Sequence, residues 1–147
     1  MKFARYLAHG DISYGIVENN IVKEITNNPF SNFEITDHNH PLSEVKLLAP
    51  CLPGKILAVG LNYRSHLGDR PTLAEPLIFL KTPTSLIGTG EAIVLPKNFD
   101  GRVDEEGEVV AVIKDRCKNV PKEEALQHVF GYTCGNDVSA RDWQKGD

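Results

Sequence analysis

Apolar and polar positions alternate in short runs along the first quarter of the chain, and short runs of that kind predict strands rather than helices. Phe3-Ala4-Arg5-Tyr6-Leu7 and Tyr14-Gly15-Ile16-Val17 are strand-like, and His9-Gly10-Asp11 between them is a hairpin-type turn. A second turn at Glu18-Asn19-Asn20 leads into Ile21-Val22-Lys23-Glu24-Ile25. The stretch from Asn27 to Pro41 is polar and turn-rich with little periodicity, which predicts a loop or linker. Leu47-Leu48-Ala49-Pro50-Cys51-Leu52-Pro53-Gly54 reads as a boundary, after which Lys55 to Val59 starts a new strand and Gly60 allows a sharp turn. Asn62 to Glu75 carries polar residues, a Gly and a Pro, and is expected as a short helix or a mobile loop. The β-branched run Val109 to Ile113 predicts a further strand. The clearest helix is Pro121 to Val129, with Pro in its first turn and Glu123 and Glu124 near its N-terminal end. Strands dominate, so the expected class is α+β and β-rich, divided into a small β unit at residues 1–48 and a second unit at 49–147.

Composition narrows this picture without changing it. A chain of 147 residues suits one domain, or one domain with a small appendage, and 41% hydrophobic with 24% charged residues is ordinary for a soluble globular protein. A net charge of −4 gives no basic surface, so a nucleic-acid partner is not expected. Arg5 and His9 interrupt the N-terminal segment, which does not read as a secretion signal. No stretch approaches the ~18 apolar residues that span a bilayer, and a cytoplasmic protein with no membrane partner is the expectation. Cys51, Cys117 and Cys134 are odd in number and lack CxxC spacing, which predicts buried free thiols rather than a disulfide frame or zinc knuckle.

The chemistry concentrates further along. On a strand, side chains two apart share a face, so Glu106 and Glu108 would point the same way, roughly 7 Å apart. Two carboxylates aimed at one point repel unless something positive stands between them, and a hard divalent cation is the natural occupant. The bland alternative is the solvated start of a strand in the acidic run Asp104 to Glu108. An EF-hand is excluded, because a loop counted from Asp100 has Glu105 where Gly is required and Ala111 where Glu is required. Asp137 is the best third ligand. His66 is a candidate base, and Asp69, three residues on, could fix its tautomer if both lie on one helical turn. Arg141 follows Asp137 by four residues; a helical turn there would aim its guanidinium at the metal, where it could grip a substrate carboxylate, the alternative being a surface pair with Asp142. Lys81, with Thr82, Thr84 and Ser85, either holds a substrate oxygen or shapes a turn around Pro83. Tyr63 either contacts substrate or packs behind His66.

From Lys55 onward, landmarks appear in a fixed order: Val59-Gly60-Leu61-Asn62-Tyr63 with His66, Phe79-Leu80-Lys81-Thr82-Pro83, Ser85-Leu86-Ile87-Gly88, Val94-Leu95-Pro96, Glu106-Gly107-Glu108, and Gly131-Tyr132-Thr133 with Asn136-Asp137-Val138-Ser139-Ala140-Arg141-Asp142. In these the chain resembles the fumarylacetoacetate hydrolase superfamily. The resemblance implies a β-roll preceded by a small N-terminal β domain, with metal ligation by Glu106, Glu108 and Asp137 to Mg²⁺ or Mn²⁺, Ca²⁺ being a further option. It also implies water activation by His66 with an acidic partner, here Asp69 where the family usually has Glu. The implied substrate is a 2-oxo or 1,3-dioxo acid of acylpyruvate, oxaloacetate or 2-hydroxyhepta-2,4-diene-1,7-dioate type. It would be hydrolysed, decarboxylated or isomerised through a metal-bound enolate, hydrolysis and decarboxylation standing first, in a homodimer. Members of the superfamily continue well past the last of these landmarks, so the roll is expected to be incomplete at its C-terminal end. Two other classes of function therefore stand beside the enzyme: a catalytically inactive fragment or interaction subunit completed by another chain, and a small-molecule binding module indifferent to metal.

Overall fold

The computed structural model describes residues 1–144. Its first strands are β1 (Phe3–Ala8), β2 (Asp11–Glu18), β3 (Ile21–Ile25), β4 (Ile35–Pro41) and β5 (Lys46–Leu47), which form one antiparallel sheet in the order β4-β3-β2-β1-β5. Two-residue turns set its register. His9 and Gly10 join β1 to β2 with φ of 52° and 98°, and Asn19 and Asn20 join β2 to β3 with φ of 49° and 64°. Positive φ at both central residues gives the turn whose twist matches paired strands, and Asn and Gly adopt it at least cost.

The pairings Ala4↔Gly15 and Gly15↔Glu24 put Ala4, Tyr6, Val22 and Glu24 on one face of the sheet, with Ile16 and Ile25 on the other. Ala4, Tyr6, Ile16, Val22 and Ile25 are the buried hydrophobic side chains among the described residues. Gly15 makes this packing close: a Cβ there would run into the Val22 side chain and the Lys23 carbonyl. The Tyr6 hydroxyl donates to Glu24 Oε2 at 3.2 Å, and His38 Nδ1 lies 3.2 Å from Glu24 Oε1. Burial, reinforced by the Glu24 charge, pushes the Tyr6 hydroxyl up to about 12.

The rest of the chain is a set of two-stranded ribbons. β6 (Ile56–Gly60) leads to helix α1 (Arg64–Leu67) and pairs with β7 (Leu77–Lys81). β8 (Val103–Asp104) precedes β9 (Gly107–Ile113), which pairs with β10 (Val129–Asn136). β11 (Ser139–Ala140) pairs back onto β8 before helix α2 (Arg141–Gln144). Two compact units result, Met1–Ala92 and a second that begins at Ile93. The class is β-rich with few helices, as the alternation of short runs predicts.

Three local expectations are corrected. The polar segment Asn27 to Pro41 is not all loop, since Ile35–Pro41 is the edge strand β4, held by backbone pairing to β3. The helix expected at Pro121 to Val129 is a 3₁₀ helix, Lys122–His128, because Pro121 stays extended at ψ 149° and the segment is short. The cysteines are free, but Cys117 and Cys134 are exposed and Cys51 only half-buried, so buried thiols are not what the fold provides.

Candidate metal centre

Along β9 the exposed and half-buried positions alternate, and Glu108 falls on the same side as Val110 and Val112. Glu106 precedes the strand by one residue and keeps the period, as its half-buried state shows. β10 runs antiparallel, with Gly135 opposite Glu108 and Asn136 opposite Gly107. Asp137 then meets Glu106: its N–H donates to the Glu106 carbonyl at 2.8 Å, while the Glu106 N–H donates to the Asn136 side-chain oxygen at 2.9 Å. Directly opposed residues share a face. The register therefore brings Glu106, Glu108 and Asp137 to one face at one end of the ribbon. Gly135 leaves that face open across from Glu108; a Cβ there would collide with the Val110 side chain.

The acidic end is partly neutralised from within the same unit. Arg141 Nη2 lies 2.5 Å from Glu106 Oε1, and Arg141 Nε lies 2.8 Å from Asp104 Oδ2. Asp104 also accepts from Arg102 Nε at 2.6 Å. The hydrogen bonds donated by Arg102 and Arg141 hold the Asp104 carboxyl below the usual carboxylate range, and donating to Asp104 and Glu106 raises the Arg141 guanidinium. The Ser139 hydroxyl donates to the other Glu106 oxygen at 2.9 Å. Arg141 reaches this place by a different route from the helical turn expected after Asp137: β11 intervenes, and the Arg141 N–H is fixed on the Arg102 carbonyl at 2.9 Å. Among the described residues, the Asp, Glu, His and Cys set whose ligand atoms already stand within 4.8 Å of one another is a different one, Asp115, Cys117 and His128.

The remaining candidates belong to the first unit. Leu61, at φ 54°, turns the chain out of β6 into Tyr63, which caps α1 and accepts the His66 N–H on its carbonyl at 3.0 Å. A non-glycine residue in the left-handed region is strained backbone. His66, Tyr63 and Asp69 are exposed. The helix stops at Leu67, and Gly68 at φ 56° and ψ −127° carries Asp69 off the helical path, so the one-turn geometry expected for His66 and Asp69 is not what the backbone forms. Lys81, half-buried, closes β7. Beyond it the hydroxyls shape a turn: Ser85 donates to the Thr82 carbonyl at 2.8 Å and Thr84 to the Thr82 hydroxyl at 3.0 Å.

Sequence reasoning gave no role to Asn136, Ser139 or Asp104, the groups that clamp Glu106 and Arg141. Their proximity depends on strand register, which the sequence pattern leaves undetermined over two-residue strands such as β8 and β11. Only the invitation was visible: polar residues flanking Asp137 and the acidic run ahead of Glu106.

Comparison with known proteins gives the family. The fumarylacetoacetate (FAA) hydrolase C-terminal family matches residues 55–147, and the Rv2993c-like N-terminal family matches residues 1–50. The chain is 43% identical over 145 residues to a protein of Archaeoglobus fulgidus, covering 97% of this chain and 54% of that one. It is 40% identical over 120 residues to the oxaloacetate tautomerase YisK of Bacillus subtilis, covering 78% of this chain and 40% of that one. The crystal structure of 5-carboxymethyl-2-hydroxymuconate delta-isomerase from Mycobacterium smegmatis superposes with a TM-score of 0.89 at 40% identity, over 100% of this chain and 58% of that one. The chain spans about half the length of the curated relatives it matches. Its fold is accordingly a large part of theirs, a small N-terminal sheet followed by an incomplete β-roll. The chain belongs to the fumarylacetoacetate hydrolase family.

Proposed function

We propose that this chain carries the metal-binding part of an enzyme that isomerises, hydrolyses or decarboxylates small 2-oxo or 1,3-dioxo carboxylic acids. The observation that carries the reading is the clamp at the open end of the β9–β10 ribbon. The Asp137 N–H on the Glu106 carbonyl and the Asn136 side chain on the Glu106 N–H fix the backbone of Glu106 against that of Asp137, and the period of the strand puts Glu108 on the same face as Glu106. Three carboxylate donors fit a hard divalent ion, Mg²⁺ or Mn²⁺ with Ca²⁺ as a further option, and when bound it would supply Lewis-acid polarisation of a substrate carbonyl.

The other roles fall to the chain's own side chains. Arg141 is assigned to the substrate carboxylate, which its planar fork would receive in place of the Asp104, Glu106 and Gln144 side chains that it now engages. His66 is assigned the proton transfer, taking a proton from one substrate atom and returning it to another in an isomerisation, or from water in a hydrolysis; Asp69 would serve as its partner only by turning back toward the ring from beyond Gly68. Lys81 and Tyr63 are assigned to substrate oxygens. Relatives named as an oxaloacetate tautomerase and a hydroxymuconate isomerase favour proton-shift chemistry as the first activity to seek. A cytoplasmic homodimer completes the proposal; no helix of the described residues is long and apolar enough to cross a membrane.

The test is a thermal melt of the purified chain with EDTA, then with Mg²⁺ or Mn²⁺, followed by an ultraviolet assay of keto–enol interconversion of 2-oxo diacids. An ion at one hundred times its dissociation constant should stabilise the fold by about 2.7 kcal/mol. A melt indifferent to metal, with no interconversion above the uncatalysed rate, would overturn the reading.

A second reading, an interaction subunit completed by another chain, is favoured by the exposed apolar side chains of β6 and β7, among them Leu57 at 60% and Leu80 at 71%. Under that reading, light scattering finds an assembly and the isolated chain shows no turnover.

A further inference from the structure

The ribbon that carries the carboxylates has a second end. β9 finishes at Ile113, and the Lys114 N–H donates to the His128 carbonyl at 3.0 Å, so the intervening connection is pinned where it leaves and where it returns. Asp115 and Cys117 lie just past the departure point, and His128 is the last residue of the returning 3₁₀ helix Lys122–His128. The pinned backbone explains why they meet. The His128 ring Nδ1 and Asp115 Oδ1 are 2.6 Å apart, and one ligand atom from each of Asp115, Cys117 and His128 lies within 4.8 Å of the others. Cys117 is a free and exposed thiol, so an ion can reach it.

We propose that Asp115, Cys117 and His128 form a second metal site, selective for Zn²⁺. The donor set decides the ion. A thiolate and an imidazole are soft and borderline ligands that Mg²⁺ and Ca²⁺ do not seek, whereas zinc accepts sulfur, nitrogen and carboxylate oxygen together. Three protein ligands leave one tetrahedral position for water or for a donor from elsewhere. Binding releases the Cys117 thiol proton and replaces the Asp115–His128 hydrogen bond with ligation of both groups. The absence of CxxC spacing does not bear on this site, because its sulfur comes from one cysteine and its other donors from residues that only the hairpin brings back.

Cobalt(II) serves as the spectroscopic probe and zinc sulfate as the competitor, with millimolar Mg²⁺ present throughout to occupy any all-oxygen site. The full chain should bind one cobalt with a near-ultraviolet thiolate charge-transfer band, displaced by one equivalent of zinc. The band should persist in a Cys51→Ser/Cys134→Ser double variant and vanish in Cys117→Ser and His128→Gln, and Asp115→Asn should weaken zinc by about tenfold. A second measurement needs no variant. Alkylation of each cysteine by iodoacetamide, followed by peptide mass spectrometry, should show zinc slowing Cys117 by about tenfold, since the metal-held thiolate is no longer free to attack, with exposed Cys134 unchanged. A band that survives Cys117→Ser, no cobalt uptake at all, or equal alkylation of Cys117 with and without zinc would each overturn the proposal.

Discussion

The five-stranded sheet and the β9–β10 ribbon are made by the same antiparallel pairing, yet they are stabilised in different ways. Every buried hydrophobic side chain among the described residues, Ala4, Tyr6, Ile16, Val22 and Ile25, belongs to the sheet. The ribbon instead leaves Val109 at 73% and Tyr132 at 64% exposure, and its ordered end is fixed by groups on Glu106, Asn136, Ser139 and Arg141. Hydrophobic burial is non-directional and tolerates pH and salt, whereas ion pairs and side-chain hydrogen bonds are directional and screened. The proposed metal site thus lies on a ribbon with no buried hydrophobic side chain among the described residues, and that region should respond before the sheet to solvent conditions.

The largest way to test this contrast is within the sheet. Tyr6→Ala removes a fully buried ring and should cost about 3–5 kcal/mol in urea unfolding, the range for large aromatic truncations. A loss under about 1 kcal/mol would mean that the sheet does not hold the core.

Next in size is a pH effect on the same residue. The Tyr6 hydroxyl titrates near 12 in the folded chain and near 10 when unfolded. Its contribution is fully present below the unfolded value, falls across that interval, and is gone once the folded group ionises. Stability should decline by up to roughly 3 kcal/mol between those values, and the decline should flatten in Tyr6→Phe. An identical slope in both proteins would remove Tyr6 as its source.

The ribbon offers a smaller, sharper effect. Asn136→Ala removes the acceptor for the Glu106 N–H and should cost about 1 kcal/mol of stability, while reducing the metal-dependent rise in melting temperature; Glu108→Ala should abolish that rise with the fold intact. A normal metal response in Glu108→Ala would sink its assignment as a ligand.

The smallest expected effect is an acid one. Hydrogen bonds from Arg102 and Arg141 hold the Asp104 carboxyl low. Their contribution is therefore present above the ordinary carboxylate range and is lost as pH falls through the lowered value. Because Arg102, the larger contributor, is largely exposed, added salt should mute it. Comparison of the acid limbs of Asp104→Asn and the parent at two ionic strengths checks this.

How much of this was legible beforehand follows the same division. Strands β1 to β3 and their turns were readable because apolar alternation and the pairs His9-Gly10 and Asn19-Asn20 each encode local geometry. β4 was not, because Ile35–Pro41 has almost no apolar signal and owes its conformation to a neighbour, β3. In the ribbon, the common face of Glu106 and Glu108 followed from a period of two. The partners of Glu106 did not, since Asn136, Ser139 and Arg141 arrive through pairings between strands far apart in sequence. Asp69 shows the converse error: a spacing of three suggested one helical turn, and Gly68 ends that turn first.

β4 has one further consequence. It forms an outer rail of the sheet, and an outer rail carries unpaired backbone groups that invite a strand from another molecule. Its run Thr36-Asp37-His38-Asn39-His40 offers an incoming chain charge and hydration in place of apolar contact, and Pro41 removes a donor at the far end. The segment that looks like a mere connector therefore discourages aggregation, and replacing Asp37 and Asn39 by valine should turn a well-behaved sheet into one that adds strands from its neighbours.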